Sequence, residues 1–369
     1  MASNSDNKYV KTLRLSVDPT NIDTEEAQAA IAQAAQILCS GGLVALPTET
    51  VYGLGANALD PAAVARIFAA KQRPSWDPVI VHVAGPIFNN PVLEPLLEKF
   101  PPVVYALMNA FWPGPLTLLL PRSAAVPDIV TAGRPLVGIR MPAHPVAFEV
   151  IRQAGVPVAA PSANVFSHIS PTTAAHVLDD LDGKIDAIID AGPTRHGVES
   201  TVLDPTQSPM MIYRPGAVTA QQIRDVAGPV VYYEERMLPQ AAAPEALPSP
   251  GIGLRHYAPR ARLILVEGTL DEFPARLAEA ARSYKNDRLG LMLPVELATT
   301  KFEPPLRGAA EYPWGHWSAS EELAERLYAG LRALDAEGCT VILCPMPEGE
   351  GVGIAICDRL RKAARSAKD

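Results

Sequence analysis

Cysteine is scarce in this 369-residue chain, and so are the motifs that commonly mark a cofactor site. Its four cysteines form no CxxC pair and have no histidine cluster beside them, so we expect reduced core thiols of a cytosolic protein instead of zinc ligands or disulfides. The sequence contains no GxxxxGK(S/T) loop and no GxGxxG after a predicted strand. These absences exclude the commonest signatures of phosphate loops, dinucleotide binding and structural zinc.

The chain also lacks a basic excess and an uninterrupted apolar run. Lys and Arg total 32 against 40 Asp and Glu, which gives a formal net charge of -8 and argues against stable binding to nucleic acid through an extensive basic surface. The most apolar stretch, residues 103–121, is broken by Asn109 and by the Pro-Gly-Pro turn at 113–115, so it predicts no membrane span. The polar N-terminus lacks the apolar core of a signal peptide. We therefore expect a cytoplasmic protein.

Proline, in contrast, is abundant. The chain has 37 prolines, about twice the usual share of roughly 5%. Five of them fall in residues 233–260, where no apolar periodicity occurs, and this composition predicts a semi-rigid, extended linker. The linker divides the chain into a flexible N-terminus (1–12), a first domain (13–232) and a second domain (261–369).

Apolar periodicity predicts an α/β fold for both domains. In the first domain strands are predicted at 43–46, 79–83, 116–120, 136–140, 156–160, 186–190, 200–203 and 210–213, which together indicate a large twisted mixed sheet with helices. In the second domain strands at 263–266, 289–293 and 340–344 alternate with helices at 271–284, from about 320 and from about 355. Such alternation is typical of a small parallel, Rossmann-like sheet. Ser318 and Glu321 predict a capped start for the middle helix.

Two cations, Lys71 and Arg73, end a predicted helix directly before Pro74. On a helix their side chains would point about 200° apart, but a proline moves the preceding residue towards extended geometry. The two cations can then converge on a multivalent anion. A solvated helix C-terminus, where the helix dipole favours Lys and Arg, explains the pair equally well.

Several other short polar clusters follow predicted strands of the first domain. They contain Thr48, Thr50, Arg140, Ser162, Asn164, Ser200 and Arg214. An Arg such as Arg140 suits a carboxylate, because its planar fork binds two oxygens at once, although pairing with a nearby Glu is as good an interpretation. His82 lies within a strand, where a core histidine is the commoner explanation. Together the clusters supply cations, hydroxyls and an amide but no obvious base or nucleophile, as in phosphoryl or nucleotidyl transfer.

Ordered motifs along most of the chain resemble one enzyme family. The first domain carries PTETVYGLGANA, KQRP, FWPGPLT, GIRMPAHP, APSAN, SPTTAAHV, GVESTV and YRPGA, the linker SPGIGLRHYAP, and the tail GVGIAICDRLRKAA. From about residue 13 to the end the chain closely resembles the L-threonylcarbamoyladenylate synthases in their two-domain form, with a YrdC-like catalytic domain. The resemblance implies a nucleotidyltransferase that makes threonylcarbamoyl-AMP and pyrophosphate from L-threonine, bicarbonate and ATP. It also implies Mg²⁺ bound with ATP, no metal site of the protein itself, and delivery of the product to a tRNA threonylcarbamoyl transferase system.

The resemblance also assigns roles to residues, motif by motif. It implies that Lys71, Arg73, Ser162 and Asn164 surround the nucleotide and the reacting carbonyl. It implies that Thr50, His82, Arg140, Ser162 and Ser200 hold L-threonine, with Thr48 as a neighbouring candidate. It implies that ATP is held by Arg73, Asp77, the main chain at Leu136, Asn164, Thr172 and Arg214, and that Tyr257 closes over the nucleotide.

Two positions depart from the family pattern, and one segment invites a hypothesis. Asp77 stands where members more usually have Asn, which predicts weaker ATP binding unless Mg²⁺ or Arg73 offsets the charge. The stretch VFSH after APSAN is more apolar than usual at the rim of the nucleotide pocket. Residues 249–259 are a candidate lid that excludes water from a hydrolysable intermediate; a simple tether is the alternative.

Two other functions fit parts of the sequence. An RNA-binding or ribosome-assembly module could use the same cations on phosphates without chemistry, although the acidic net charge opposes it. A carbamoyl-phosphate-dependent adenylating domain, as in hydrogenase-maturation proteins, would share the nucleotide chemistry but not the threonine site.

Overall fold

The computed structural model describes residues 11–234, 247, 249, 252 and 256–365. The predicted N-terminal segment 1–12 lies almost entirely outside these residues, and so do most of the predicted linker 233–260 and residues 250, 251 and 253–255 of the candidate lid 249–259. The boundaries proposed for the domains remain predictions.

Residues 11–234 form one mixed sheet with helices on both faces. Its strands are β1 (Leu13–Ser16), β2 (Val44–Leu46), β3 (Gly53–Asn57), β4 (Ile80–His82), β5 (Leu116–Pro121), β6 (Leu136–Arg140), β7 (Val158–Ala159), β8 (Ala187–Asp190), β9 (Thr201–Asp204), β10 (Met210–Arg214) and β11 (Val230–Tyr232). Its helices are α1 (Glu25–Cys39), α2 (Pro61–Lys71), α3 (Val103–Phe111), α4 (Asp128–Thr131), α5 (Pro145–Ala154), α6 (Ala174–Leu181) and α7 (Ala220–Ala227). The strands lie in the order β1-β8-β2-β3-β7-β4-β6-β5-β9-β10-β11.

The core of this first domain lies on both faces of the sheet, because successive strand residues point to opposite sides. On β2, Val44 and Leu46 pack into the cluster that includes α1 and α5, whereas Ala45 packs into the cluster that includes α2, α3 and α7. The Gly-rich strand β3 was not predicted. Gly55 suits it because a Cβ there would lie 2.9 Å from the Val158 side chain on the neighbouring strand.

Residues 256–365 form a separate, smaller sheet. Its elements are β12 (Arg262–Val266), α8 (Phe273–Ala281), β13 (Leu289–Pro294), β14 (Ala310–Gly315), α9 (Ser320–Ala336), β15 (Val341–Pro345) and α10 (Gly353–Ala364). The strand order is β12-β15-β13-β14 and every neighbouring pair is parallel. The predicted fold class, a large mixed sheet followed by a small parallel α/β sheet, is confirmed. The predicted cap of α9 is wrong: the helix begins at Ser320 after Ala319, which makes no side-chain capping bond.

The two sheets share a hydrophobic contact. Val51 and Val198 of the first domain belong to the same buried cluster as Trp314 and Leu323 of the second. Gly197 has φ +65°, and a Cβ there would collide with the Ala324 carbonyl on α9, so only glycine fits this close approach. Among the helices that the structure describes, none is long and apolar enough to cross a membrane.

Candidate active site

One cavity collects residues from several strand ends of the first sheet. From the predicted threonine group it is lined by Thr48, Thr50, His82, Arg140, Ser162 and Ser200. From the predicted nucleotide group it is lined by Arg73, Arg214 and Tyr257. Residues that had been singled out from separate motifs therefore meet in one place.

The strand directions explain this convergence. β4 and β6 are parallel and pair His82 with Arg140 at their carboxyl ends. β5 runs antiparallel to β6 and parallel to β9, so the start of β9, beside Ser200, lies at the same edge of the sheet. β10 is antiparallel to β9 and ends at that edge with Arg214. Residues from four strands thus face one cavity because of their register.

Arg140 is the centre of a buried polar group. It forms an ion pair with Glu49 at 2.6 Å and donates a hydrogen bond to the Thr50 hydroxyl at 2.9 Å. The hydroxyl oxygens of Thr48 and Thr50 lie 2.9 Å apart. Burial alone would raise the pKa of Glu49, but the charge and hydrogen bonds of Arg140 outweigh burial and lower it. Glu49 was missed at the sequence level, although it lies inside the PTETVYGLG motif.

His82 is buried and neutral. Burial, and then the charge of Arg140, lower its pKa to about 3. Its Nδ1 atom has no hydrogen-bond partner among the described residues. The ring therefore offers this cavity a polar atom without adding a second positive charge beside Arg140.

Arg73 also lines the cavity, and it forms an ion pair with Asp77. Its guanidinium lies 2.9 Å from the Asp77 carboxylate and donates to the Pro78 carbonyl at 2.7 Å. It also stands over the Phe166 ring at 5.9 Å. Burial raises the pKa of Asp77, although the charge of Arg73 opposes this. The departure from the family pattern at position 77 thus places an acid directly on a cavity-lining arginine.

Lys71 lies behind the cavity wall. Helix α2 ends at Lys71, and Gln72 adopts φ +53° before Arg73 leaves the helix. The Lys71 ammonium donates to the main-chain carbonyls of Ser162 and of Asn164, the latter at 2.6 Å. Burial, and then the charge of Arg73, lower the pKa of Lys71 well below its usual value. Lys71 therefore fixes the APSAN loop that carries Ser162 into the cavity.

Ser200 and Arg214 are joined to each other. Arg214 donates to the Ser200 carbonyl at 3.0 and 3.1 Å and to its hydroxyl at 3.1 Å. The Ser200 hydroxyl lies 2.8 Å from that of Thr117. This arrangement holds one of the predicted threonine-binding residues against one of the predicted ATP-binding residues.

Some predicted residues lie near the cavity or away from it and do not line it: Lys71, Asp77, Leu136, Asn164 and Thr172. Leu136 begins β6, about 13 Å along the strand from Arg140 at its other end. Asn164 donates to the carbonyls of Val165 and His168, and its Oδ1 atom has no partner among the described residues. The roles assigned to these residues remain predictions.

Tyr257 and His256, which precede the second sheet, also line the cavity. Tyr257 is buried at φ +62°, and its ring stacks on Tyr328 with centroids 5.8 Å apart. His256 lies edge-on to Phe166 at 5.6 Å. Burial, and then the charge of Arg73, lower the pKa of His256 well below its usual value. His256 had not been singled out, although it adjoins Tyr257 in the HYAP motif.

Two family models match successive parts of the chain. The model named Sua5_yciO_yrdC, described as telomere recombination, matches residues 36–216. The model named Sua5_C, described as threonylcarbamoyl-AMP synthase, C-terminal domain, matches residues 218–365. The two matches cover every strand of both sheets except β1.

Relatives are similar over nearly the whole length. A threonylcarbamoyl-AMP synthase of Bacillus subtilis is 42% identical over 96% of this chain and 98% of its own length. One of Pyrococcus abyssi is 42% identical over 90% of this chain and 93% of its own. The crystal structure of P. abyssi Sua5 complexed with L-threonine is similar with a TM-score of 0.85 at 39% identity, over 96% of this chain and 98% of that one. This chain belongs to the threonylcarbamoyl-AMP synthase family.

Proposed function

We propose that this enzyme joins L-threonine, bicarbonate and ATP into threonylcarbamoyl-AMP and releases pyrophosphate. The observation that carries the proposal is the single cavity lined both by the Arg140 group and by Arg73 and Arg214. An arginine beside two hydroxyls suits an amino acid carboxylate, and two further arginines suit phosphate oxygens. The P. abyssi relative with bound L-threonine supports the choice of amino acid.

The reaction requires two bond-forming steps. The neutral amine of threonine attacks bicarbonate, and loss of water leaves a carbamate on the nitrogen. A carbamate oxygen then attacks the α-phosphorus of ATP. The bond from that phosphorus to the oxygen bridging the α- and β-phosphates breaks, and pyrophosphate leaves with the electron pair.

The side chains of the cavity position these groups and neutralise their charge. Arg140 and Thr50 orient the carboxylate of threonine, and His82 offers its unpartnered Nδ1 atom to the amine or the hydroxyl. Because the pKa of His82 is about 3, the ring stays neutral near neutral pH. Arg73 and Arg214 face the negative charge that develops on the phosphates.

Mg²⁺ would enter with ATP. Among the described residues, no group of three or more His, Cys, Asp or Glu side chains could hold a metal ion. Asp77 keeps an Oδ1 atom without a hydrogen-bond partner, and Mg²⁺ commonly uses one or two carboxylates together with substrate phosphates. Because Asp77 is already paired with Arg73 and does not line the cavity, we assign the ion to the phosphates of ATP, where it would neutralise charge on the leaving pyrophosphate.

The product calls for a second enzyme. Threonylcarbamoyl-AMP is a mixed anhydride, so it suits transfer of the threonylcarbamoyl group to an acceptor, which we take to be adenosine in tRNA. We place the reaction in the cytoplasm, in line with four free cysteines and an acidic chain. Direct stable binding to nucleic acid forms no part of the proposal.

The test is product formation from the three substrates. The enzyme is incubated with ATP, L-threonine and isotopically labelled bicarbonate, and AMP adducts are separated. We expect label in an AMP adduct only when threonine is present. Absence of the adduct with all substrates present would overturn the proposal.

The same assay separates the alternatives, which family membership does not favour. A carbamoyl-phosphate-dependent domain would form an adduct from carbamoyl phosphate and ATP without threonine. An RNA-binding module would instead bind RNA with an affinity that falls steeply as salt rises, and it would make no adduct.

A further inference from the structure

A single arginine of the second domain binds two residues of the first domain, one adjacent in the chain to Ser200 and the other adjacent to Arg214. Arg359, on α10, donates from Nε to Glu199 at 2.7 Å and from Nη2 to the Pro215 carbonyl at 3.0 Å. Arg359 is 1% exposed. A single guanidinium thus spans the residue before Ser200 and the residue after Arg214.

Glu199 has other buried hydrogen-bond donors in addition to Arg359. Its carboxylate also accepts hydrogen bonds from the Tyr328 hydroxyl on α9 at 3.0 Å and from the Ser170 hydroxyl at 2.6 Å. Burial would raise the pKa of Glu199, but the charges of Arg359 and Arg214 and the hydrogen bonds from Ser170 and Arg359 outweigh burial and lower it. The carboxylate therefore stays ionised although it is buried, and Arg359 of the second domain is its ion-pair partner.

The segments that contain Ser200 and Arg214 are in close main-chain contact. A Cβ on Gly216 would collide with the Glu199 carbonyl and with the main chain at Ser200 and Thr201. Because of this close contact, we expect residues 199–201 and 214–216 to move together. A guanidinium that holds Glu199 and Pro215 in place therefore also holds their chain neighbours Ser200 and Arg214 in place.

Arg359 reaches the cavity by a second route. Its guanidinium lies 5.0 Å from the centre of the Tyr257 ring, at which distance the cation and the ring attract each other. Tyr257 lines the cavity, whereas none of the described cavity-lining residues belongs to β12 or to any later element. The second sheet thus touches the site only through such intermediaries.

We infer that Arg359 is a positioning residue for the substrate cavity, acting on Ser200 and Arg214 through Glu199 and Pro215. The second domain then sets the geometry of the substrate cavity, although none of its described strands and helices lines that cavity. The inference rests on the proposed function, in which Arg214 faces the phosphates of ATP, and on the family resemblance, which implies that Ser200 holds threonine. The experiments therefore measure both catalysis and the main-chain hydrogen exchange of these segments.

The first experiment compares Arg359→Met with Arg332→Met in the full chain. Arg332, on α9, also joins the two sheets, since it pairs with Asp180 at 2.9 Å and donates to the Ile169 carbonyl, but none of these three residues lines the cavity. We expect Arg359→Met to lower kcat/KM at least about tenfold and to raise KM for ATP. Arg332→Met should change either value less than about twofold.

The second experiment measures hydrogen exchange of the main chain without substrate. We expect faster exchange over residues 198–217 in Arg359→Met than in the wild type or in Arg332→Met. This readout does not depend on the reaction, so a failure of the proposed function, seen as no product from the wild type, is distinguishable from a failure of the inference.

Milder variants keep the test decisive if Arg359→Met does not fold. Tyr328→Phe removes one hydroxyl from Glu199, and Arg359→Lys keeps the charge but loses the fork that spans both segments. We expect each to reduce kcat/KM about threefold or more with faster exchange over 198–217. Kinetics and exchange equal to the wild type in both variants, or equal effects of Arg359→Met and Arg332→Met, would overturn the inference.

Discussion

Arg140 and Glu49 form an ion pair at 2.6 Å, and each side chain is less than a tenth exposed. Two interpretations of Arg140 were open from the sequence, a carboxylate site or a pair with a nearby Glu. The structure contains the pair and also places Arg140 in the cavity wall. The guanidinium is thus held in place by a carboxylate of the protein while it faces the cavity in which we propose that the carboxylate of threonine binds.

Replacing Glu49 should make the enzyme depend on threonine for stability. Glu49→Gln leaves the buried Arg140 charge unpaired, and breaking a buried pair costs about 3–5 kcal/mol. Because bound threonine would supply a carboxylate, it should raise the thermal unfolding midpoint more in the variant than in the wild type. Glu149→Gln, which breaks the more exposed pair with Arg152, is the control. Equal shifts with threonine in the wild type and Glu49→Gln would show that threonine does not bind at Arg140.

Replacing the cations on either side of Gln72 should impair turnover. Lys71→Ala leaves the carbonyls of Ser162 and Asn164 without their buried donor, which costs about 2 kcal/mol of stability. Arg73→Ala removes a positive charge from the cavity wall. We expect each variant to lower kcat more than about tenfold, measured with saturating substrates. Lys99→Ala, on the exposed surface, should keep the wild-type rate. Near-normal rates in both Lys71→Ala and Arg73→Ala would rule out the assigned roles.

Asparagine at position 77 should improve the use of ATP. In the wild type the Asp77 carboxylate offsets the charge of Arg73 at 2.9 Å, so that less of that charge acts on phosphates. Asp77→Asn keeps the shape and removes the negative charge, and we expect KM for ATP to fall about threefold or more. Asp182→Asn, at the exposed partner of Arg14, serves as the control. A rise in KM for ATP would contradict this expectation and show that the Asp77 carboxylate itself supports ATP binding.

Acid should destabilise the enzyme through His82. Its folded-state pKa of about 3 lies below the unfolded value of about 6.5, so the unfolded chain takes up a proton first as pH falls. Stability is then lost from about pH 6.5 downwards, by about 2 kcal/mol for this group at about pH 5. We expect urea unfolding of His82→Gln to lose less stability than the wild type between about pH 7 and about pH 5. Equal losses would mean that His82 is protonated in the folded protein.

The sequence allowed prediction of the elements whose apolar pattern is strong. Strand β6 was predicted at its observed bounds, and the helix that was predicted to end at the cations before Pro74 is α2, which ends at Lys71. Strands β1, β3, β11 and β14 were missed. β3 is rich in glycine, and β14 is an edge strand that contains Pro313, and glycine and proline both weaken the sequence signal of a strand.

The residues of the site were easier to find than their partners. Arg73, Arg140 and Arg214 stand out as cations next to prolines or strand ends, and all three line the cavity. Their partners Asp77 and Ser200 were also named from motifs, but the pairing of Ser200 with Arg214 and of Glu49 with Arg140 follows only from the three-dimensional fold. Arg359 could not have been assigned from the sequence, because 144 positions separate it from the Pro215 carbonyl to which it donates.

The contact between Arg359 and Glu199 restricts how the sequences of the two halves of this chain can diverge during evolution. Without Arg359, Glu199 would be a buried carboxylate that has lost its ion-pair partner, so replacing the second half of the chain with an unrelated one would destabilise this contact. The halves are therefore expected to be inherited together, with compensating changes at both positions whenever one of them varies.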